Sequence, residues 1–183
     1  AFTGKIDNVS VHEIIPAVTN TSVVSVRDGS IRANYYNGST SKLDCGNYDD
    51  LTGDKSFIAW IKPYGWGEGG FGRIMQNGKM DLYKSTTNSK YSFKSNGSTI
   101  VSSANNSITL GVWQLIIVTR NSAGDETNFY INGVLSGSAD QDSGTPVAGS
   151  TNITIGTDNG SARTFYGLIG NTRIENGILS SAQ

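Results

Sequence analysis

Apolar residues recur along this chain in short runs, and each run is cut off by a cluster of Gly, Asn, Asp or Ser. No stretch of a dozen residues keeps helical spacing, so the rhythm predicts short strands in a sandwich or barrel. The runs fall at residues 30–36, 56–62, 72–76, 80–85, 90–95, 99–103, 113–120, 127–132, 152–157 and 165–176. Within 90–95, Tyr91 and Phe93 alternate with Ser92 and Lys94, which predicts one apolar and one wet face. Residues 113–120 (WQLIIVTR) are apolar almost throughout and predict a central strand covered on both sides.

Between runs, Asn77-Gly78, Asn96-Gly97 and Asn132-Gly133 each place two residues tolerant of positive φ, as a type I′ hairpin turn requires. The strands flanking them are expected to pair antiparallel. Two connections are long: residues 63–73, with five glycines, and residues 136–150. Long irregular loops in compact domains are disproportionately functional; the plainer reading is a solvated crossover between sheets, and it is favoured for 136–150. Residues 1–15 differ in character. Between Lys5 and His12, Ile6, Asn8 and Ser10 alternate with Asp7, Val9 and Val11 before Pro16 and a polar run, which reads as a short strand.

Composition sharpens this picture. Ile outnumbers Leu 17 to 8, and β-branched side chains suit a pleated surface better than a helix. Charged residues make up only 16% of the 183, so the polar surface is built from Ser, Thr, Asn and Gly. The net charge of -1 removes the attraction to phosphates that dominates nucleic-acid affinity; nucleic acid is not an expected partner. No run approaches the roughly 20 apolar residues of a membrane helix, so no membrane partner is expected either. The lone Cys45 excludes an internal disulfide, and the lone His12 excludes a His-rich zinc site.

Three ordered blocks make the chain recognisable. They are residues 33–63, with Tyr36-Asn37-Gly38 and Ala59-Trp60-Ile61-Lys62-Pro63; residues 110–120 followed by 129–138, a Gly-x-Trp strand and a Tyr-x-Asn-Gly-Val hairpin; and residues 153–160 with 165–183. Together they resemble the laminin-G-like branch of the concanavalin A-like lectin and glucanase superfamily. The resemblance implies an all-β fold, a two-sheet antiparallel β-sandwich of jelly-roll form, over residues 16–183. Residues 1–15 are then a lead-in strand or the remnant of an upstream domain, and a piece cut at both ends is expected. The resemblance also implies that Trp60 and Trp113 pack inside the sandwich.

Glucanases of this fold resemble one another in a strand carrying closely spaced carboxylates, because retaining hydrolysis needs two of them about 5 to 5.5 Å apart. None of the fifteen acidic residues forms such a pattern; Asp140 and Asp142 sit two apart, but in a Gly/Ser-rich loop. No catalytic residue is therefore assigned. Many relatives bind calcium through an acidic pair on the last strand. Here Gly170-Asn171 follows Leu168-Ile169, so no metal ligand or other cofactor is assigned, with Asp44, Asp49 and Asp50, or Asp158 and Asn159, as the alternative calcium cluster.

Sugar binding needs an aromatic platform flanked by groups that read hydroxyls. Trp66, in the glycine-rich loop with Tyr64 and Glu68 beside it, is the first candidate, and Tyr83 and Tyr91 on neighbouring hairpins are further ones. The expected function is a non-catalytic carbohydrate-binding or adhesion module at a cell surface, virion surface or other extracellular site, with a polysaccharide or glycan as partner. A structural or decoration domain of a virion or surface assembly, contacting other surface proteins, stays open beside it. A glycoside hydrolase or polysaccharide lyase of the same fold is the third reading.

Overall fold

The computed structural model describes residues 18–47, 51–123, 125–160 and 162–179. The expected lead-in strand at 1–15 lies outside them. The strands are β1 (Thr19–Thr21), β2 (Val24–Asp28), β3 (Ile31–Asn37), β4 (Lys42–Asp44), β5 (Lys55–Pro63), β6 (Arg73–Gln76), β7 (Asp81–Ser85) and β8 (Lys90–Lys94). They continue as β9 (Val101–Ser102), β10 (Gln114–Asn121), β11 (Glu126–Ile131), β12 (Val134–Leu135), β13 (Gln141–Asp142), β14 (Thr154–Ile155) and β15 (Tyr166–Asn176). Two antiparallel sheets result, ordered β1-β4-β14-β6-β7-β8-β9 and β12-β11-β10-β5-β15-β3-β2, with β13 pairing β11. This is the expected sandwich. Among the described residues no helix is long and apolar enough to cross a membrane.

Alternation within strands assigns the faces. On β5, Phe57, Ala59 and Ile61 join the core, as do Ile116 and Val118 of β10 and Phe129 of β11. They meet Leu82 of β7 and Tyr91 and Phe93 of β8 from the smaller sheet, with the Phe57 and Phe93 rings 5.0 Å apart. The next residues along β5 and β10 point away: Ile58, Trp60, Leu115, Ile117 and Thr119 line the outer face of the larger sheet. Two expectations are corrected here. Trp60 is not a core residue but 36% exposed, because its neighbours Ala59 and Ile61 take the inward positions. Strand β10 is not covered on both sides, since Leu115 and Ile117 stay half-exposed.

Turn chemistry separates the three Asn-Gly pairs. Asn132 and Gly133 both have positive φ, 52° and 81°, as a type I′ turn demands. At the other two pairs only the glycine does; there Asn77 Oδ1 accepts from the Met80 N–H (2.8 Å) and Asn96 Oδ1 from the Thr99 N–H (2.9 Å). The asparagine side chain closes those turns instead of its backbone. Gly156 has a different role: with φ of 86°, a Cβ there would lie 2.0 Å from the buried Tyr36 ring, so only glycine lets β14 pass that ring.

A departure from regular sheet shapes the outer face. Strand β3 pairs with β15 only as far as Asn34 opposite Ile169, where β15 changes register at residues 170 and 171. Beyond that point the β2-β3 hairpin leaves the plane. Asp28, at the end of β2, accepts from Lys62 Nζ of β5 (2.7 Å) and from the indole N–H of Trp113 (2.8 Å), although β15 and β3 lie between β2 and β5 in the sheet order. The hairpin tip thus folds across the sheet. Trp113 is half-buried as part of this clasp, not inside the sandwich as expected.

Candidate functional site

The five aromatic and acidic residues singled out in the sequence do not converge. Trp66 is only half-exposed and packs against the core. The glycine-rich loop that carries it is strapped down by Tyr64 N–H to Tyr166 O (3.0 Å), Glu68 N–H to Thr164 O (3.0 Å) and Gly72 N–H to Trp66 O (3.1 Å), so the ring is drawn inward. Glu68 stays exposed near Thr164. Tyr83 is 6% exposed, covered by the Arg73 guanidinium 4.2 Å above its ring and by the Phe71 edge. Tyr91 is fully buried, its hydroxyl donating to Gln114 Oε1 at 2.7 Å, and burial pushes that hydroxyl well above the usual tyrosine range. Tyr83 and Tyr91 offer no ring face to a ligand.

Tyr64 does reach solvent, at 40% exposure, but away from Trp66. It stands with Tyr35 and Tyr166 in a trio whose ring centroids are 6.0 to 6.5 Å apart. Partial burial, then the two neighbouring phenols, raise the Tyr35 hydroxyl. The trio lies at one end of the larger sheet's outer face.

The middle of that face holds a groove of about 330 Å³. Ladder register builds its floor: Leu115 is opposite Trp60, and Ile117 is opposite both Ile58 and Tyr130. Arg173 of β15 is opposite Ile58 on the other flank, and Asn171 joins it at the rim. Leu179 closes one end, held by its N–H donating to Ser56 Oγ at 2.9 Å. The groove therefore combines two aromatic rings and an aliphatic floor with Arg173, Asn171 and Thr119 as polar groups, and among the described residues its lining has no carboxylate. Such a mixture fits a pyranose, which presents an apolar C–H patch on one side and hydroxyls at its edge.

A laminin-G-type family model, described as the concanavalin A-like lectin/glucanases superfamily, matches residues 36–183. The chain belongs to that superfamily. No curated protein matches the sequence. Among solved structures, domain 4 of AbnA, an extracellular arabinanase from Geobacillus stearothermophilus, in complex with arabinotriose, is similar with a TM-score of 0.67 at 17% identity, over 91% of this chain and 84% of that one. The binding domain of Paraclostridial Mosquitocidal Protein 1 is similar with a TM-score of 0.66 at 16% identity, over 89% and 44%. A putative carbohydrate binding protein from Bacteroides ovatus gives a TM-score of 0.66 at 14% identity, over 84% and 45%. The chain thus spans most of the first and less than half of the other two.

Calcium, which many members of this superfamily hold beside the last strand, does not fit this chain at that place. Gly170 and Asn171 supply no carboxylate, and the cavity they line also contains Arg27 and Arg32; a hard cation needs several oxygen ligands including carboxylates. In the alternative clusters, Asp44 Oδ1 accepts from the Gly46 N–H (3.0 Å) and from Asn152 Nδ2 (2.9 Å), and Asp158 Oδ1 from the Ala162 N–H (2.8 Å). Asp49 and Asp50 lie outside the described residues. Among the described residues no three His, Cys, Asp or Glu side chains gather.

Proposed function

We propose that this chain is a non-catalytic carbohydrate-binding module of a larger extracellular or virion-surface protein, and that the groove around Trp60 is its sugar site. The carrying observation is the outward-facing Trp60, 36% exposed on a sheet where its strand neighbours are buried, beside Tyr130 and within one groove with Arg173, Asn171 and Thr119. A large aromatic held at a surface by a rigid ladder supplies a preorganised stacking face. The arabinotriose-bound and carbohydrate-binding neighbours support the same reading by shared fold. The lack of a carboxylate among the described lining residues supports binding without glycosidic cleavage, since that chemistry works through a carboxylate pair.

Trp60→Ala is expected to weaken glycan binding by at least about tenfold while leaving the melting temperature close to that of the parent, because the ring lies outside the core. Affinity gels run against arabinan, xylan, glucan and galactan measure it. Retention unchanged by the substitution removes Trp60 from the site; no retardation on any gel and no signal on a glycan array removes the function.

A further inference from the structure

Strands β2 and β3 set Arg27 directly opposite Arg32, and opposed residues of an antiparallel pair project from the same face. Both side chains are exposed. Like charges facing each other across a ladder repel, and among the described residues neither guanidinium forms an ion pair. Asp28 is adjacent in sequence but committed to Lys62 and Trp113. The two arginines line an open cavity of about 610 Å³ whose other polar walls are Ser25, Asn34 and Asn171, and among the described residues no carboxylate lines it. Ser25 Oγ donates to Asn34 Oδ1 at 3.0 Å, leaving the Asn34 amide N–H groups as donors. The walls are therefore all donors or neutral groups around an uncompensated pair of positive charges. Asn171 lines both this cavity and the Trp60 groove, and a Cβ on the neighbouring Gly170 would lie 3.4 Å from Trp60 Cβ and 3.6 Å from Arg32 O, so the two approach each other at this irregularity of β15.

We propose that the Arg27-Arg32 cavity binds an anionic substituent, carboxylate or sulfate, on the glycan whose neighbouring sugar stacks on Trp60. This rests on the glycan-binding reading above. The planar fork of each guanidinium matches the paired oxygens of either group, and a bound anion relieves the repulsion between the two arginines. With a net charge of -1 on the whole chain, the attraction is local, confined to roughly a Debye length, so the cavity selects acidic sugars without making the module a general polyanion binder.

The test is an array of neutral, uronate-bearing and sulfated glycans probed with the full chain, with R27Q/R32Q and W60A beside it. The strongest signals are expected on acid-bearing glycans, with the uronate and sulfate sets showing which anion is preferred. R27Q/R32Q is expected to lower those signals by about tenfold or more and leave neutral ones unchanged, whereas W60A lowers both. Raising salt from about 50 to about 300 mM should weaken only the acidic set. The double variant should melt no lower than the parent, since it removes a repulsive pair, which separates lost binding from lost fold. Signals spread evenly over neutral and acidic glycans, or an acidic preference that survives R27Q/R32Q, overturn the proposal and leave the glycan-binding reading standing. A blank array overturns both.

Discussion

An ammonium group with no carboxylate beside it is costly in a protein interior, yet Lys84 is fully buried. Its Nζ donates to Gly65 O and to Tyr166 O (3.1 Å) and lies 3.9 Å above the Phe165 ring, and burial lowers its pKa from 10.5 to about 7. A neutral amine has two N–H groups, which match the two carbonyls. Below about pH 7 the folded and unfolded chains both carry the proton and the burial cost is full; above it only the unfolded chain does. Stability should therefore rise from about pH 7 to about pH 10, on the order of 4 kcal/mol in all. Urea unfolding across that range measures it, and Lys84→Met should flatten the slope; a flat profile in the parent contradicts the account. Lys84 also shows what the sequence withholds. It sits in an ordinary strand run, and only the approach of the glycine-rich loop to β15 buries it. The orientations of Trp60 and Trp66 are withheld for a related reason. Residues 56–62 are apolar at both parities, so pattern alone cannot orient Trp60, and the glycines around Trp66 signal a loop without saying which way its ring turns.

The β2-β3 hairpin is the element on which the outer face depends. Its tip is tied by one carboxylate, held below the usual range first by the hydrogen bond from Lys62 and then by that from Trp113. Asp28→Asn is expected to release the tip while leaving the core intact, since Asp28, Lys62 and Trp113 are not members of the core cluster. Hydrogen exchange should then quicken in β2 and the first residues of β3 but not in β5 or β10, and Trp113 fluorescence should shift; uniform exchange rates across all four strands would argue against a local clasp. The same release is expected in the parent as pH falls through the lowered Asp28 pKa. Strand β3 was legible from its alternation, whereas β2 was not, because Val24 to Asp28 is short, exposed and shaped by partners with two strands in between or further off.

At the scale of the molecule, nearly every long strand was readable in the sequence, and the three ordered blocks gave the sandwich. Register and layering were not, because they join distant segments: β5 pairs with β15 and β4 with β14, each across more than a hundred residues. Such closures must be made before they are rewarded, so refolding should take roughly milliseconds to seconds. Stopped-flow tryptophan fluorescence after dilution from urea checks this, and a microsecond phase accounting for the whole signal would contradict it. The sheets also end in very little strand. Both outermost strands of the smaller sheet, β1 and β9, and β12 at one margin of the larger are only two or three residues long, and the remaining margin, β2, carries Arg27 and the folded-over tip. A neighbouring copy finds few free backbone groups to extend. Many copies could therefore be displayed side by side, at the crowding of a coat or fibre, without knitting into one another.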